Sequence, residues 1–126
     1  MKICIVDDER LILEMYGKKL KLQGHDVVKY EDPKIALDKI PIDLPDLILL
    51  DILMPGINGL ELMEKLRGIS SLKKVPIIFL TNSEDEDYHK KALELGALYY
   101  LNKSKYLPKD VGNLVKEVLD IKNVLK

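Results

Sequence analysis

The chain has 126 residues, of which 47% are hydrophobic and 33% charged, and its 20 basic and 21 acidic residues leave a formal net charge of -1. This length suits one compact domain, and we expect residues 1–126 to form it. The balanced charge argues against direct binding to nucleic acid or to an anionic membrane, because both require a cationic surface. The single cysteine, Cys4, rules out an internal disulfide and favours a reducing compartment. No segment has the pattern of a signal peptide or a membrane span, so the sequence predicts a cytoplasmic protein.

Short apolar runs alternate with longer segments of helical period along the chain. The first run, "KICIV", predicts a strand. After "DDE" a helix is expected to continue as far as Gly24, a residue typical of helix ends. Four apolar residues recur at helical spacing in this segment: Leu11, Ile12, Met15 and Leu22.

The second and third runs also predict strands that precede helices. "HDVVKY" is followed by Asp32 and Pro33, which suit the cap and the first position of a short helix. "DLILL" lacks the alternation of a half-exposed strand, as expected where helices cover both faces of a parallel sheet. Asn58 and Glu61 then fit a capping box at the start of the third helix.

The last two units follow the same pattern. "VPIIFL" predicts the fourth strand, and Ser83 with Glu86 fits a capping box for the fourth helix. "ALYYL" predicts the fifth strand, and Pro108 begins the last helix. The apolar residues of that helix predict its buried stripe: Val111, Leu114, Val115, Val118, Ile121 and Leu125.

Five strand and helix units joined by short loops define the fold class. Parallel strands need crossover connections, which are right-handed and cover the sheet. We therefore expect a single-domain α/β fold, a doubly wound (βα)5 sandwich around a parallel sheet.

Polar side chains stand where four of the five predicted strands end. Asp7 and Asp8 follow the first strand, Asp51 the third, Thr81 the fourth, and Lys103 the fifth. Ligands of doubly wound sheets bind at the carboxyl ends of the strands, so these side chains are expected to meet. Each would be unremarkable alone, since aspartates often cap helices and lysines often lie in loops.

Three carboxylates in one place require a cation. Two of them about 5 Å apart repel each other by roughly 3 kcal/mol at an effective dielectric constant near 20. An all-oxygen cluster with few protein ligands suits Mg²⁺, and Lys103 would offset part of the charge. In such a setting Asp51 can attack a phosphorus atom and form an aspartyl phosphate.

At these residues the sequence resembles the receiver domain of two-component response regulators, the CheY-like family. Four segments carry the resemblance over essentially the whole chain: "IVDDE", "PDLILLDILMPGINGLELMEKLR", "VPIIFLTNS" and "ALELGALYYLNKS". It implies a flavodoxin-like sheet with strand order 2-1-3-4-5. It also implies a switch that takes a phosphoryl group from a histidine kinase or a phosphotransfer protein.

The resemblance assigns a role to each site residue. Asp51 would accept the phosphoryl group, and Thr81 and Lys103 would hold its oxygens. Tyr100 matches the family's switch aromatic, which rotates when the threonine moves towards the phosphate. The Mg²⁺ ligands would be the carboxylates of Asp8 and Asp51 and the backbone carbonyl of Leu53, with Asp7 acting through water.

A receiver of this kind is not a turnover enzyme, although it catalyses its own phosphorylation and dephosphorylation at Asp51. Its signal would reach a downstream effector or a fused output domain. The surface that carries it would be formed by the fourth helix, the fifth strand and the fifth helix. A dimer on activation is a further option. The residues predict no DNA-binding segment. The sequence assigns no metal or phosphotransfer role to His25 or His89, and His89 is expected to be exposed.

Three positions depart from the family pattern. Ser104 follows Lys103 where the family usually has proline after a cis bond, so the bond is either strained or trans. Asn82 stands where a small residue is common, and Tyr99 where an acid is frequent. Ser104 leaves open a receiver-like docking module that is never phosphorylated. A hydrolase of the haloacid dehalogenase type is disfavoured, because Leu53 occupies the place of that family's second aspartate.

Overall fold

A computed structural model describes residues 1–124, which fold as five strand and helix units. A 3₁₀ turn, Ser70–Leu72, precedes the fourth strand. The elements, in chain order, are β1 (Lys2–Val6), α1 (Arg10–Leu22), β2 (Asp26–Tyr30), α2 (Pro33–Asp43), β3 (Leu47–Leu50), α3 (Gly59–Arg67), β4 (Ile77–Thr81), α4 (Glu86–Glu94), β5 (Tyr99–Asn102) and α5 (Pro108–Val124).

The five strands form one parallel sheet with the order β2-β1-β3-β4-β5. Strand order reverses between β1 and β3, the type of position where doubly wound sheets bind ligands. The doubly wound α/β fold and the strand order predicted from the sequence are therefore confirmed. No helix within residues 1–124 is both long enough and apolar enough to cross a membrane.

The core has two parts, one on each face of the sheet, because successive side chains of a strand point to opposite faces. In β3, Leu47 and Leu49 pack towards α1 and α5, whereas Ile48 and Leu50 pack towards α2, α3 and α4. All four are buried, so the unbroken apolar run "LILL" has the explanation expected from the sequence. Cys4 is also buried in this core, and burial raises the pKa of its thiol to about 12.

The helix predicted from this spacing is present as α1, but most of the residues that predicted it are not the ones it buries. Leu11 is 84% exposed, Leu22 is 76% exposed and Met15 is 43% exposed. The helix instead buries four other residues: Leu13, Tyr16, Gly17 and Leu20. Both sets follow the helical period, and the rotation of α1 against β2 and α5 selects the second.

The predicted stripe of α5 is wrong at one position. Ile121 is 55% exposed, and Leu119 is buried in its place. Val111, Val115 and Val118 are buried as expected, and Leu114 packs partly against the same part of the core. Leu125 lies outside the described residues.

Capping side chains begin three of the helices. Asp32 accepts a hydrogen bond from the Lys34 backbone N–H at the start of α2. Asn58 accepts one from the Glu61 N–H at the start of α3. The predicted capping box at Ser83 is wrong, because α4 begins two residues later with Asp85 as its cap. The Ser83 hydroxyl instead accepts from the Asp85 N–H and closes the turn that leads into α4.

Candidate functional site

Two buried carboxylates lie side by side at the carboxyl edge of the sheet. Asp7 follows β1 and Asp51 follows β3, and the last residues of these two strands, Val6 and Leu50, are paired neighbours. Asp7 is 2% exposed and Asp51 is 4% exposed. Each accepts one short backbone hydrogen bond, from Glu9 N–H at 2.9 Å and from Ile52 N–H at 2.8 Å respectively. The turns after the strands therefore hold both carboxyl groups in place.

Lys103 places its ammonium group between these carboxylates. Its Nζ lies 2.6 Å from Asp7 Oδ2 and 3.4 Å from Asp51 Oδ2, and its side chain is 4% exposed. A third acid, Glu9, reaches the same Nζ at 3.5 Å. The Lys103 backbone N–H donates to the Thr81 carbonyl at 2.9 Å, which extends the pairing of β4 with β5 and aims the lysine at the site.

The electrostatics of this cluster follow from burial and from an excess of negative charge. Burial, followed by the charge of Asp7, raises the pKa of Asp51 to about 6, although Lys103 acts in the opposite direction. Burial also raises the pKa of Asp7, against the hydrogen bond from Lys103. For Lys103 burial lowers the pKa, but the neighbouring acids outweigh it and the pKa is raised. One ammonium therefore does not fully compensate the acids around it.

The acids also have the arrangement of a cation site. Asp7, Asp8, Glu9 and Asp51 each offer a carboxylate oxygen, and these oxygens all lie within 4.8 Å of one another. Hard cations such as Mg²⁺ prefer oxygen ligands, so the donor set fits this ion. Because Asp8 and Glu9 are exposed, the cluster opens to solvent on one side. Glu9 was missed in the sequence, where its only signal was its place after the two aspartates of "DDE".

Thr81 is completely buried at the end of β4. Its hydroxyl oxygen accepts a hydrogen bond from the Ser83 backbone N–H at 3.1 Å. This bond uses the oxygen as an acceptor and leaves the hydroxyl proton for another partner. Asn82, the neighbour that departs from the family pattern, is exposed.

The loop between Asp51 and α3 depends on a glycine that the sequence analysis did not single out. Gly59 donates its N–H to the Ile52 carbonyl at 2.9 Å, which folds the loop back onto the strand end. A Cβ atom at Gly59 would lie 2.0 Å from the Asp51 carbonyl oxygen, too close for any other residue type without backbone movement. Leu53, the expected carbonyl ligand, lies in this loop with its side chain half exposed.

The bond between Lys103 and Ser104 is trans, as are all the peptide bonds of the part of the chain that the structure describes. Ser104 is held by Asn102, whose Oδ1 accepts from the Ser104 N–H at 2.9 Å and from its hydroxyl at 2.6 Å. Proline could not donate the first of these bonds. The loop thus takes the trans path, one of the two alternatives left open by the sequence, and Lys103 still reaches both aspartates.

Tyr100 lies beside the site with its ring against the core. Its centroid is 6.1 Å from that of Phe79, and the hydroxyl is buried. The imidazole of His89 is stacked on the ring, with centroids 4.6 Å apart and planes 8° apart. His89 is therefore only partly exposed, and the expectation of an exposed side chain is wrong. Tyr99, the neighbouring departure from the family pattern, is 40% exposed.

The fold is that of a receiver domain, and the sequence comparison agrees. Residues 3–116 match the family described as the response regulator receiver domain, so the chain belongs to that family. It is thus a receiver domain of two-component response regulators and not a classical enzyme. This membership also removes the hydrolase alternative.

Two bacterial transcriptional regulators contain a similar domain. The chain is 38% identical over 119 residues to the alkaline phosphatase synthesis transcriptional regulatory protein PhoP of Bacillus subtilis, covering 94% of this chain and 48% of that protein. It is 38% identical over 117 residues to the phosphate regulon transcriptional regulatory protein PhoB of Pseudomonas aeruginosa, covering 93% and 51% respectively. The chain thus spans about half the length of the curated relatives it matches.

Solved structures show the same likeness. A CheY-like receiver domain protein from Methanospirillum hungatei has a TM-score of 0.91 at 29% identity, covering 99% of this chain and 98% of that one. The chemotaxis response regulator CheY4 of Vibrio cholerae has a TM-score of 0.85 at 28% identity, covering 93% and 97% respectively.

Proposed function

We propose that this receiver domain, residues 1–126, is a phosphorylation-activated switch whose phosphoryl acceptor is Asp51. The observation that carries the proposal is the position of Lys103 Nζ, 3.4 Å from Asp51 and 2.6 Å from Asp7 in a buried acidic cluster. A carboxylate beside a fixed cation and an oxygen-only cation site has the parts that phosphoryl transfer requires.

The metal of this reaction is Mg²⁺ in our proposal. Asp8, Asp51 and the Leu53 carbonyl would hold the ion directly, and Asp7 would act through water. When bound, Mg²⁺ neutralises charge on the transferring phosphoryl group. The acid cluster supports this assignment, because its oxygens lie within 4.8 Å of one another and are only partly compensated by Lys103.

The chemical step is a transfer from phosphohistidine to Asp51. An oxygen of the Asp51 carboxylate attacks the phosphorus atom, an O–P bond forms, and the P–N bond breaks with its electron pair passing to the histidine nitrogen. Water later attacks the same phosphorus, which releases inorganic phosphate and restores the carboxylate. The chain promotes both steps on itself and is therefore not a turnover enzyme.

The switch follows from the charge that the phosphoryl group brings. It adds up to about two negative charges and strong acceptor oxygens beside Lys103 and Thr81. The Thr81 hydroxyl has a proton to donate, since its present bond to Ser83 uses only the oxygen. Movement of Thr81 towards the phosphate would change the space beside Tyr100, and with it the shape of the α4-β5-α5 face.

The partners in this proposal are a sensor histidine kinase or phosphotransfer protein that supplies the phosphoryl group, and an effector or fused output domain that reads the α4-β5-α5 face. The relatives PhoP and PhoB are named as transcriptional regulatory proteins, which favours an output that controls transcription. Dimerisation on activation fits the same face. The receiver itself would contact neither nucleic acid nor membrane, and it would act in the cytoplasm.

The test is phosphorylation by a small donor. The chain is incubated with Mg²⁺ and acetyl phosphate, and the phosphorylated residue is mapped by mass spectrometry. We expect one phosphoryl group on Asp51, its loss in Asp51→Asn and in chelator, and normal uptake in Asp38→Asn, an exposed aspartate on α2. Equal labelling of wild type and Asp51→Asn would refute the proposal. No labelling of either would favour a docking module that phosphorylation does not regulate.

A further inference from the structure

Tyr100 lies against two aromatic rings that belong to different elements. Phe79 of β4 is its partner across the strand pair, at a centroid distance of 6.1 Å and a tilt of 50°. His89 of α4 lies at a centroid distance of 4.6 Å and is nearly parallel to the ring. Phe79 belongs to the buried core, whereas the parallel stack depends on the side chain at position 89.

The present orientation of Tyr100 withdraws its hydroxyl group from water. Its hydroxyl oxygen is buried. Burial raises the pKa of the phenol, and a smaller hydrogen-bond effect of the Ser83 side chain lowers it. Withdrawing a phenol oxygen from water costs free energy, so an orientation that returns the oxygen to water competes with this one. Contacts with the ring oppose that alternative orientation.

Space for the alternative orientation lies directly beside the stack. A surface cavity of about 430 Å³ is bounded by α4, β5 and the loop before α5, and His89 and Tyr100 form part of its wall. Ser83, Asn102 and Tyr106 also line it, so its surface offers polar partners for a phenol. An outward turn of Tyr100 into this cavity would break the stack with His89 and solvate the hydroxyl.

We propose that His89 is a positioning residue that holds Tyr100 in its buried orientation before any phosphoryl group is present. The stack places part of the control of the α4-β5 face on α4, independently of the chemistry at Asp51. The consequence for signalling rests on the proposed function, whereas the stack itself does not. It implies that a fraction of the unphosphorylated molecules already has Tyr100 turned inwards at this face.

The test follows the Tyr100 ring in the unphosphorylated chain. The ring carbons of tyrosine are labelled, the Tyr100 signals are assigned with Tyr100→Phe, and their exposure to a paramagnetic cosolute is measured by NMR. Two apolar replacements of His89 separate stacking from bulk: His89→Phe keeps an aromatic ring, and His89→Leu does not. Lys90→Leu places the same leucine at the next, exposed position of α4 and serves as the matched control.

We expect His89→Leu to raise the exposed population of Tyr100 relative to the buried one by about two- to tenfold, the range of measured aromatic pair energies. His89→Phe and Lys90→Leu should leave it within about twofold of wild type on the same scale. Wild-type exposure in His89→Leu, or equal exposure in both His89 variants, would overturn the proposal. Backbone amide spectra establish that each variant is folded. Phosphorylation of Asp51 is scored separately, so its failure would overturn the proposed function and leave this result standing.

Discussion

Asp51 is predicted to destabilise the fold that carries it. Asp51→Asn removes a buried negative charge and keeps an oxygen that can accept the Ile52 hydrogen bond. A pKa of about 6 in place of the ordinary 3.8 corresponds to an upper limit of about 3 kcal/mol above about pH 7. This limit already includes the opposing attraction of Lys103, 3.4 Å away, and the new amide must still be accommodated in the buried site. We therefore expect the free energy of unfolding of Asp51→Asn to exceed that of wild type by about 1–3 kcal/mol when no metal is present.

The sign of the pH dependence follows from the same pKa. The folded chain holds the Asp51 proton more tightly than the unfolded chain, so the contribution of Asp51 to wild-type stability falls as the pH rises from about 4 to about 6. Asp51→Asn lacks this titration. Its advantage should be small near about pH 4 and reach its full value above about pH 7.

The assay is urea unfolding of both proteins in chelator across this pH range. Asp38→Asn, an exposed site, should differ from wild type by less than about 0.5 kcal/mol. Addition of Mg²⁺ should then stabilise wild type more than Asp51→Asn, because the ion binds the folded carboxylates. An Asp51→Asn protein that is no more stable than wild type above about pH 7, or equally favoured at all pH values, would refute the reasoning.

Three further variants test the surroundings of the site by urea unfolding. Gly59→Ala should lower the free energy of unfolding by at least about 2 kcal/mol, because its Cβ would lie 2.0 Å from the Asp51 carbonyl oxygen. Unchanged stability would show that the loop backbone moves to accept the Cβ without a measurable loss. Arg67→Met should lower the free energy of unfolding by about 2–4 kcal/mol, because the guanidinium donates at 2.8 and 2.7 Å to two backbone carbonyls before β4. A loss below about 1 kcal/mol would mean that water replaces the guanidinium. Lys103→Met should cost about 3–5 kcal/mol in chelator above about pH 7, because it leaves buried carboxylates without a cation. A loss that does not shrink in acid would contradict that cause.

Local sequence signals account for most of the architecture. Unbroken apolar runs indicated strands covered on both faces, and the structure buries all of "LILL". Asp32 and Pro33 begin α2 as predicted, because a cap acts through backbone groups only two residues away. The strand order came from the family resemblance rather than from periodicity.

Signals that leave two solutions were resolved only by packing. In α1, Leu11 and Met15 are as regularly spaced as Leu13 and Tyr16, yet the second pair is buried. Periodicity reports that a helix is amphipathic, but its rotation is set by the elements it contacts. Ser83 was the predicted cap of α4, but its hydroxyl closes the preceding turn and Asp85 caps the helix.

At the site, too, some features follow from the sequence and others from packing. The sequence by itself determined which side chains end β1, β3, β4 and β5, because strand ends are local features and a parallel sheet brings them to one edge. Only the tertiary structure placed Lys103 closer to Asp7 than to Asp51 and added Glu9 to the cluster. It alone stacked His89 on Tyr100. Such contacts join side chains from distant segments, so they depend on loop paths and helix rotations that the packing of the whole domain decides.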